Sequence, residues 1–194
     1  MNKRVLLFFF LLMPFAYGLS QVNTFVINGG GAIFLFGPYA LGSSNSSSLG
    51  LNINGGLKTK YFENGVYYGY NLLRKFEVTS RELRSKSIIP SDQMAGFNTF
   101  GAYSNFYITS LFNKKDYFTR IFNFYTTVKS GSYYVPAKDT DFTGVGFNCY
   151  FGFGSVFYLS GDTGIFTEAG GDYFSYMDSE LNRLSFRIGI SKRL

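Results

Sequence analysis

The sequence predicts an all-β protein, an eight-stranded antiparallel up-and-down barrel. Its 194 residues include 24 Phe and 16 Tyr but no Trp, and 23 Gly but only 4 Pro. Aromatic residues favour strands, and proline interrupts their hydrogen-bond ladders. Several segments alternate between apolar and polar residues for ten or more positions, yet the mean hydropathy is only +0.04. Lipid-facing and lumen-facing residues cancel in such an average, so these observations together favour a transmembrane β-barrel.

Residues 1–20 are typical of a cleavable signal peptide. Two basic residues precede an unbroken apolar run, which a proline and small residues then end. Cleavage after Ser20 is preferred, and cleavage after Gly18 also satisfies the small-residue rule. An uncleaved anchor is the alternative, but a spanning helix needs roughly 20 apolar residues. The rest of the chain, 21–194, is expected to form one outer-membrane barrel domain.

The first three strands are predicted from glycine content, alternation and turn signals. The first strand, Thr24–Pro38, is glycine-rich, and the serine tract Ser43–Ser48 follows it as a loop. The second strand, Leu49–Phe62, carries leucine and isoleucine on one face and asparagine and lysine on the other. The sequence Glu63-Asn64-Gly65 predicts a tight hairpin, because Asn-Gly readily adopts positive φ. The third strand is expected over Val66–Thr79.

The next three strands follow a polar segment over Ser80–Asp92. The fourth strand, Gln93–Ile108, and the fifth, Tyr117–Ser130, both alternate poorly, so their registers stay open. The sixth strand, Phe142–Tyr158, alternates clearly between large apolar residues and glycine, asparagine or tyrosine.

The last two strands close the predicted barrel. The tight turn Ser160–Gly164 leads into the seventh strand, Ile165–Tyr176, and Met177–Asn182 is interpreted as a loop. The eighth strand, Arg183–Leu194, has one apolar face and one face of arginine, serine and glycine. Longer predicted connections tend to alternate with short turns, although the fourth connection is intermediate. Up-and-down outer-membrane barrels have this asymmetry.

The two faces of these strands predict where charge lies. If the apolar parity faces lipid, the other parity lines a narrow lumen, where charges persist only when they are paired. The predicted lumen ion-pair cluster consists of Lys58, Lys60, Lys75, Glu77, Glu168, Asp172, Arg183 and Arg187. Within it, Arg183 and Arg187 are expected beside Glu168 and Asp172 on the neighbouring strand, whereas Lys192 and Arg193 are expected at a solvated rim. An ordinary sandwich with a solvated polar face is the alternative.

Aromatic residues near strand ends are interpreted as interfacial girdles, although strand propensity alone explains any one of them. They include Tyr61, Phe62, Tyr67, Tyr68, Tyr107, Tyr117, Phe118, Tyr158, Tyr173 and Tyr176. The single cysteine, Cys149, forms no intramolecular disulfide and falls on the lipid-facing parity as a small apolar residue.

The chain resembles the eight-stranded outer-membrane β-barrel domain family, of the size of the outer-membrane protein A membrane domain. The resemblance rests on residues 56–62 leading into Glu63-Asn64-Gly65, on the glycine–aromatic alternation of 144–158 and on the closing segment 184–194. It implies a location in the outer membrane of a Gram-negative envelope and contact with lipid and lipopolysaccharide. It also implies insertion by the outer-membrane assembly machinery, and a monomer is favoured.

The composition argues against several functions. The chain has no histidine, which removes the commonest general base and metal ligand, so no catalytic, cofactor or metal site is predicted. Without its signal peptide the chain has a charge of about +4, too small to indicate nucleic acid. A wide channel needs about 16 strands, so the lumen is at most a narrow pore.

Two further readings stay open. The basic residues Arg81, Arg84 and Lys86 could bind lipopolysaccharide phosphates if their loop lies outside the cell, and a solvated basic loop is the alternative. A secreted, water-soluble lipocalin-like barrel with a small apolar ligand is the alternative for the whole chain. That barrel would place its aromatic side chains inside, around the ligand.

Overall fold

A computed structural model describes residues 24–36, 47–73, 77–79, 86–88, 95–112, 121–135, 144–176 and 179–194. Eight long strands form the barrel: β1 Thr24–Phe36, β2 Ser47–Lys58, β3 Phe62–Leu73, β6 Ala95–Tyr107, β7 Phe122–Val135, β8 Gly144–Ser160, β9 Thr163–Tyr176 and β10 Ser179–Arg193. Two short strands, β4 Glu77–Thr79 and β5 Lys86–Ile88, pair in a separate sheet. A short helix, α1 Thr109–Phe112, follows β6. No helix within the described residues is long and apolar enough to cross a membrane.

The eight long strands close into one antiparallel barrel in the order β1-β10-β9-β8-β7-β6-β3-β2. Closure pairs the first strand with the last, from Val26 opposite Arg193 to Phe36 opposite Arg183. The final residue joins this ladder, because the Leu194 amide donates to the Phe25 carbonyl at 2.8 Å. The predicted eight-stranded antiparallel barrel, with its last strand paired to its first, is confirmed.

Alternation along each strand separates an apolar outer wall from a polar interior. In β8, Phe147, Phe151 and Phe153 are exposed, whereas Asn148 and Tyr150 are buried. All eight barrel strands contribute large exposed apolar side chains to the outer wall. The predicted faces of the second, third, sixth and eighth strands are therefore confirmed for the residues that lie in β2, β3, β8 and β10, since a period-two pattern places each set on one side.

Paired glycines occupy the inner wall at every second strand interface. Four cross-strand pairs face the lumen: Gly30–Gly189, Gly56–Gly65, Gly101–Gly131 and Gly152–Gly170. A Cβ atom added at Gly131 would lie 2.1 Å from the Phe100 carbonyl oxygen of the neighbouring strand. A side chain does not fit such an approach, so these positions require glycine for the two strands to lie this close.

The predicted hairpin at Glu63-Asn64-Gly65 is wrong. The chain turns over residues 59–61, where the Thr59 amide donates to the Phe62 carbonyl at 2.7 Å and the Thr59 hydroxyl accepts from the Phe62 amide at 3.0 Å. Glu63 already lies in β3, opposite Lys58 of β2. The Asn-Gly signal thus marks a glycine needed for close strand contact, because Gly65 pairs with Gly56.

Several other boundaries also differ from the prediction. The third barrel strand ends at Leu73, so residues 77–79 belong to the separate sheet, where β4 lies near β10. The fifth barrel strand, β7, begins at Phe122 and not at Tyr117. The loop predicted over residues 177–182 is wrong in its extent, because β10 begins at Ser179, opposite Tyr176.

The connections define two ends of the barrel. The turn end carries Thr24, Leu194 and the turns 59–61 and 161–162; at the opposite end, which we call the loop end, β1, β3, β7 and β9 end and β2, β6, β8 and β10 begin. Connection 108–121 is long and contains α1, whereas 177–178 is short. The predicted alternation of connection lengths therefore holds for only part of the chain.

Candidate functional site: the charged lumen

The centre of the lumen is built from two adjacent strands with matched charge spacing. Glu168 and Asp172 lie four residues apart on β9, and Arg183 and Arg187 lie four apart on β10. The antiparallel register sets Arg187 opposite Glu168 and Arg183 opposite Asp172. Side chains directly opposite each other on one face of a sheet lie close enough to interact, so the ladder itself pairs acid with base.

Lys129 of β7 completes what we call the central ion cluster: Lys129, Glu168, Asp172, Arg183 and Arg187. Lys129 Nζ lies 2.9 Å from Glu168 Oε2, and Arg187 bridges Glu168 Oε2 at 3.4 Å and Asp172 Oδ1 at 3.3 Å. Arg183 Nε lies 3.5 Å from Asp172 Oδ2. None of these side chains is more than 9% exposed. Removal of one partner from such a buried network leaves an uncompensated charge, which is strongly destabilising.

Tyrosines surround the central ion cluster. Tyr125 donates its hydroxyl to Glu168 Oε1 at 3.2 Å. The guanidinium carbon of Arg187 lies 4.0 Å from the centre of the Tyr150 ring. Aromatic faces attract cations in desolvated surroundings, so the rings stabilise charge that water does not reach.

A second carboxylate, Glu63, lies nearer the turn end and is only 1% exposed. It accepts hydrogen bonds from the hydroxyls of Tyr103, at 2.7 Å, and Tyr107. The amides of Asn28, at 3.2 Å, and Asn105, at 3.4 Å, also donate to it. These four donors are neutral, and Lys58, opposite Glu63 in the ladder, adds the electrostatic attraction of a cation.

Three aromatic rings lie toward the loop end of the lumen. The ring centres of Phe97 and Phe174 are 5.6 Å apart and those of Tyr133 and Phe174 are 5.4 Å apart, both pairs nearly perpendicular. Arg183 packs its guanidinium 4.5 Å from the Phe174 ring centre. These contacts join the aromatic group to the central ion cluster.

Little space remains between these groups. A cavity of about 20 Å³ borders Asn52, Asn54, Tyr150 and the central ion cluster, which is about the volume that one water molecule requires. Among the described residues, no His, Cys, Asp or Glu side chains are grouped in threes that could hold a metal ion. The lumen is therefore filled by its own side chains.

The other predicted lumen residues lie in different places. Lys58 points into the lumen and is 8% exposed. The prediction for Lys60 is wrong, because this residue lies in the turn 59–61 and is exposed, its Nζ 5.2 Å from the Tyr61 ring centre. The prediction that Glu77 lies on a barrel strand is also wrong, because β4 is outside the barrel sheet. Lys75 lies outside the described residues.

The predicted basic loop contributes little to the described structure. Arg81 and Arg84 lie outside the described residues, as do residues 1–20 with the predicted signal peptide. Lys86 is the first residue of β5, so a short strand interrupts the predicted loop.

Sequence reasoning missed Lys129 and Glu63. Lys129 was hidden because β7 carries aromatic and polar residues on both faces, which obscures its period of two. Inward residues of β7 nevertheless alternate regularly through Asn123, Tyr125, Thr127 and Lys129. Glu63 was hidden because the adjacent Asn-Gly was interpreted as a turn.

The girdle interpretation is wrong for three tyrosines. Tyr67, Tyr107 and Tyr158 are buried on the inner face, where their hydroxyls bond polar groups such as Glu63. Tyr61 and Tyr68 are exposed, in agreement with the prediction. Of the remaining predicted residues, Phe62 and Tyr173 are partly exposed, and the side chains of Tyr117, Phe118 and Tyr176 are outside the described part.

Cys149 lies half-buried among the outward residues of β8.

Arg193 is the last residue of β10 and is partly exposed, as the rim prediction expects, but its side chain turns to the inner face. Its guanidinium carbon lies 3.4 Å from the centre of the buried Tyr158 ring, on the inner side of the wall. Lys192 is exposed, as predicted, and donates to the Thr163 hydroxyl at 3.2 Å.

No protein-family model matches the chain, and no curated protein matches it in sequence. Its fold is similar to that of Neisserial surface protein A, with 10% identity, a TM-score of 0.57 and coverage of 88% of this chain and 96% of that one. The N-terminal β-barrel domain of OprF from Pseudomonas aeruginosa aligns at 11% identity and TM-score 0.47, covering 88% and 99% of the two chains. Ail, the attachment invasion locus protein of Yersinia pestis, aligns at 13% identity and TM-score 0.41, covering 88% and 97%. The chain therefore has the fold of the small eight-stranded outer-membrane β-barrels.

Proposed function

We propose that the protein is an integral barrel of the bacterial outer membrane. The observation that carries this proposal is the distribution of side chains: apolar residues cover the outside of every barrel strand, and the charges are paired within. Soluble monomers rarely expose apolar patches larger than a few hundred Å². In a closed barrel every strand is hydrogen-bonded to a neighbour on both sides, so no strand edge is left with unpaired backbone groups, as a hydrocarbon environment requires.

The lipocalin-like alternative requires the opposite distribution. Its apolar side chains would point inward around a ligand, and charged ones would face water. Here Phe153, Phe186 and Ile188 face outward while Lys129 and Glu168 are enclosed. The interior also lacks room for such a ligand beside its own side chains, since the cavity there is about 20 Å³.

Export and orientation follow from the same proposal. Residues 1–20 act as the signal peptide, and residues 21–194 form the barrel domain that the outer-membrane assembly machinery inserts. The turn end faces the periplasm and the loop end faces the cell exterior, by analogy with other barrels of this class. There Arg81, Arg84 and Lys86 would meet lipopolysaccharide phosphates.

The proposed role is non-enzymatic: a monomeric envelope scaffold or surface-interaction protein that needs no cofactor. The central ion cluster is assigned a structural role, because its acidic and basic side chains form ion pairs with one another inside the barrel. A filled lumen supports at most a narrow pore. In a planar lipid bilayer, we expect no large and stable conductance.

Cell fractionation and gel mobility test the proposal together. The protein should sediment with the outer membrane, and detergent-extracted protein should migrate differently on a denaturing gel before and after boiling. Recovery in a soluble fraction, with the same mobility before and after boiling, would contradict a membrane barrel and favour the lipocalin-like alternative.

A further inference from the structure

A groove crosses the outer wall of the barrel. One row of outward residues runs across four neighbouring strands, because each member lies opposite the next in the ladder: Gly31 of β1, Ile188 of β10, Thr167 of β9 and Ser155 of β8. Three of these side chains are small, and larger ones border the row. The space that they leave, which we call the outer groove, has a volume of about 840 Å³, and its larger outward residues are Ile33, Leu49, Leu51, Phe124, Phe153 and Phe186.

The outer groove is apolar. Its two hydroxyl side chains, Ser155 and Thr167, bond to each other at 3.0 Å. The charged residues of the same strands, Glu168 and Arg187, form an ion pair on the lumen side of the wall, at 3.4 Å. Ligand sites in proteins have volumes of about 300–1,000 Å³ and are mostly apolar. The outer groove therefore has the size and the chemistry of a site for a hydrocarbon chain.

The position of the groove restricts its occupant. A peptide strand could be added only at a free strand edge, and the closed order of the eight described strands leaves no such edge in the barrel sheet. The groove is continuous with the rest of the apolar outer wall, where Phe151 and Leu184 are also exposed, and that wall is the surface proposed to face lipid. A lipid acyl chain is therefore the occupant that the surroundings supply.

A cation lies on the same face of the wall, nearer the turn end. Lys192 projects outward from β10, four residues beyond Ile188, with the exposed Ile190 between them. A strand rises about 3.3 Å per residue, so about 13 Å of strand separate Lys192 from Ile188 in the outer groove. Among the outward side chains that the structure describes on the eight strands, only that of Lys192 is charged. Its ammonium donates one hydrogen bond to Thr163, and its other N–H groups remain for the oxygen atoms of a phosphate.

We propose that the outer groove binds one acyl chain of a phospholipid and that Lys192 binds the phosphate of the same molecule. This site rests on the proposed function, and it specifies which lipid the wall retains. The turn end is the end proposed to face the periplasm, so the bound lipid belongs to the phospholipid leaflet and not to the lipopolysaccharide leaflet. A molecule with both a phosphate and an acyl chain matches both features, whereas a hydrocarbon without a phosphate would use only the groove.

Native mass spectrometry tests the site on the protein as it is extracted from membranes in a mild sugar detergent. At detergent concentrations that remove the surrounding lipid, one phospholipid should stay bound to each barrel. Dipalmitoyl phosphatidylglycerol is then added back to delipidated protein, and the dissociation constant is obtained from the bound fraction. The titration should saturate at one molecule per barrel.

Gly31→Leu and Gly171→Leu form a matched pair. Both glycines face outward, and an added Cβ meets no atom closer than 4.0 Å at Gly31 and none within 4 Å at Gly171. Of the two, only Gly31 lines the outer groove. Gly31→Leu should weaken phospholipid binding about tenfold, the effect of about two CH₂ groups kept from burial. Gly171→Leu adds the same bulk elsewhere and should bind like the unaltered protein. If Gly31→Leu does not fold, Ala169→Leu obstructs the same groove from β9 and should show the same loss.

Lys192→Gln tests the phosphate contact separately. It should weaken binding of phosphatidylglycerol about tenfold, the effect of one charge-assisted hydrogen bond, and Lys192→Arg should restore it. Dipalmitoylglycerol has the acyl chains but no phosphate, so it should bind equally to Lys192→Gln and to the unaltered protein. Equal binding of phosphatidylglycerol to these two proteins would overturn the phosphate contact.

The heat-dependent gel shift separates failure of the site from failure of the proposed function. A missing shift in the unaltered protein counts against the membrane barrel itself, and only shifted protein enters the assay. In shifted protein, the absence of bound phospholipid, or equal binding by Gly31→Leu and Gly171→Leu, would show ordinary boundary lipid only and would overturn the site. A retained mass equal to that of lipopolysaccharide, or a dimer in place of bound lipid, would assign the groove to another occupant and would also overturn it.

Discussion

Arg187→Leu is the most informative single substitution, because Arg187 is the residue that joins both acidic members of the central ion cluster. It lies 3.4 Å from Glu168 and 3.3 Å from Asp172, with only 9% of its side chain exposed. Leucine would leave Asp172 with Arg183 at 3.5 Å as its ion-pair partner. Breaking a buried pair on one side costs about 3–5 kcal/mol, which is about a 10²- to 10³·⁵-fold change in the folding equilibrium constant.

Lys192→Leu supplies the comparison, because Lys192 lies on the same strand but is exposed. Surface substitutions away from such networks change stability by no more than about 0.5 kcal/mol. Both variants are unfolded with urea in lipid vesicles, and the free energy of unfolding is obtained from each curve. Equal losses in the two variants would refute the assignment of Arg187 to a closed, charged lumen.

Three other substitutions or probes test separate parts of the structure. Gly131→Val should destabilise the barrel by about 3 kcal/mol or more, because its Cβ would meet a neighbouring carbonyl at 2.1 Å. Gly29→Ala is the control, because a Cβ at Gly29 meets nothing within 4 Å, and it should refold normally. Equal refolding yields for Gly131→Val and Gly29→Ala would contradict the close strand contact at Gly131. Glu63→Leu leaves four buried donors without an acceptor, whereas Glu63→Gln keeps a carbonyl oxygen that can accept from them. Glu63→Leu should therefore lower the free energy of unfolding in urea more than Glu63→Gln does, because each buried donor without an acceptor costs about 1–3 kcal/mol. In vesicles, Cys149 should react with a lipid-soluble maleimide and not with a charged one, and labelling by the charged reagent alone would place this face in water.

The barrel could be predicted from the sequence because its clearest strands alternate regularly between an apolar and a polar face. In β8 and β10 the outward positions are almost all large and apolar, and the inward ones are small, polar or charged. Such strands define both faces, and the cross-strand ladder then places Arg187 beside Glu168. The adjacency of these two residues followed from spacing alone.

The rest of the lumen could not be predicted, because the hydropathy of its side chains does not distinguish inward from outward positions. Tyr107 and Tyr158 are aromatic yet lie inside, where their hydroxyls find polar partners. Lys129 lies on a strand whose outward side also carries serine and threonine, so its parity gives no sign of its position. In a membrane barrel large apolar residues face outward and not inward, and tyrosine fits either face because it has an apolar ring and a polar hydroxyl.

The fate of Glu63 shows a second limit. An Asn-Gly pair commonly makes a turn, but here the glycine is required by close contact with Gly56 across the ladder. Local sequence cannot distinguish a glycine that bends the chain from one that lets two strands approach. The distinction depends on which strand lies opposite the glycine, and that pairing is set only when all eight strands close into the barrel.

The most direct measurement of the central claim is spin-label accessibility along β8. In a Cys149→Ser background, single cysteines at positions 147 to 154 carry the label, and collisions with oxygen and with a water-soluble nickel chelate are compared in lipid vesicles. Labels at 147, 151 and 153 should collide with oxygen and not with nickel, since these positions face outward, whereas labels at the inward positions 148, 150 and 152 should meet little of either. Nickel collisions at the outward positions would contradict a lipid-facing wall around a closed, charged lumen.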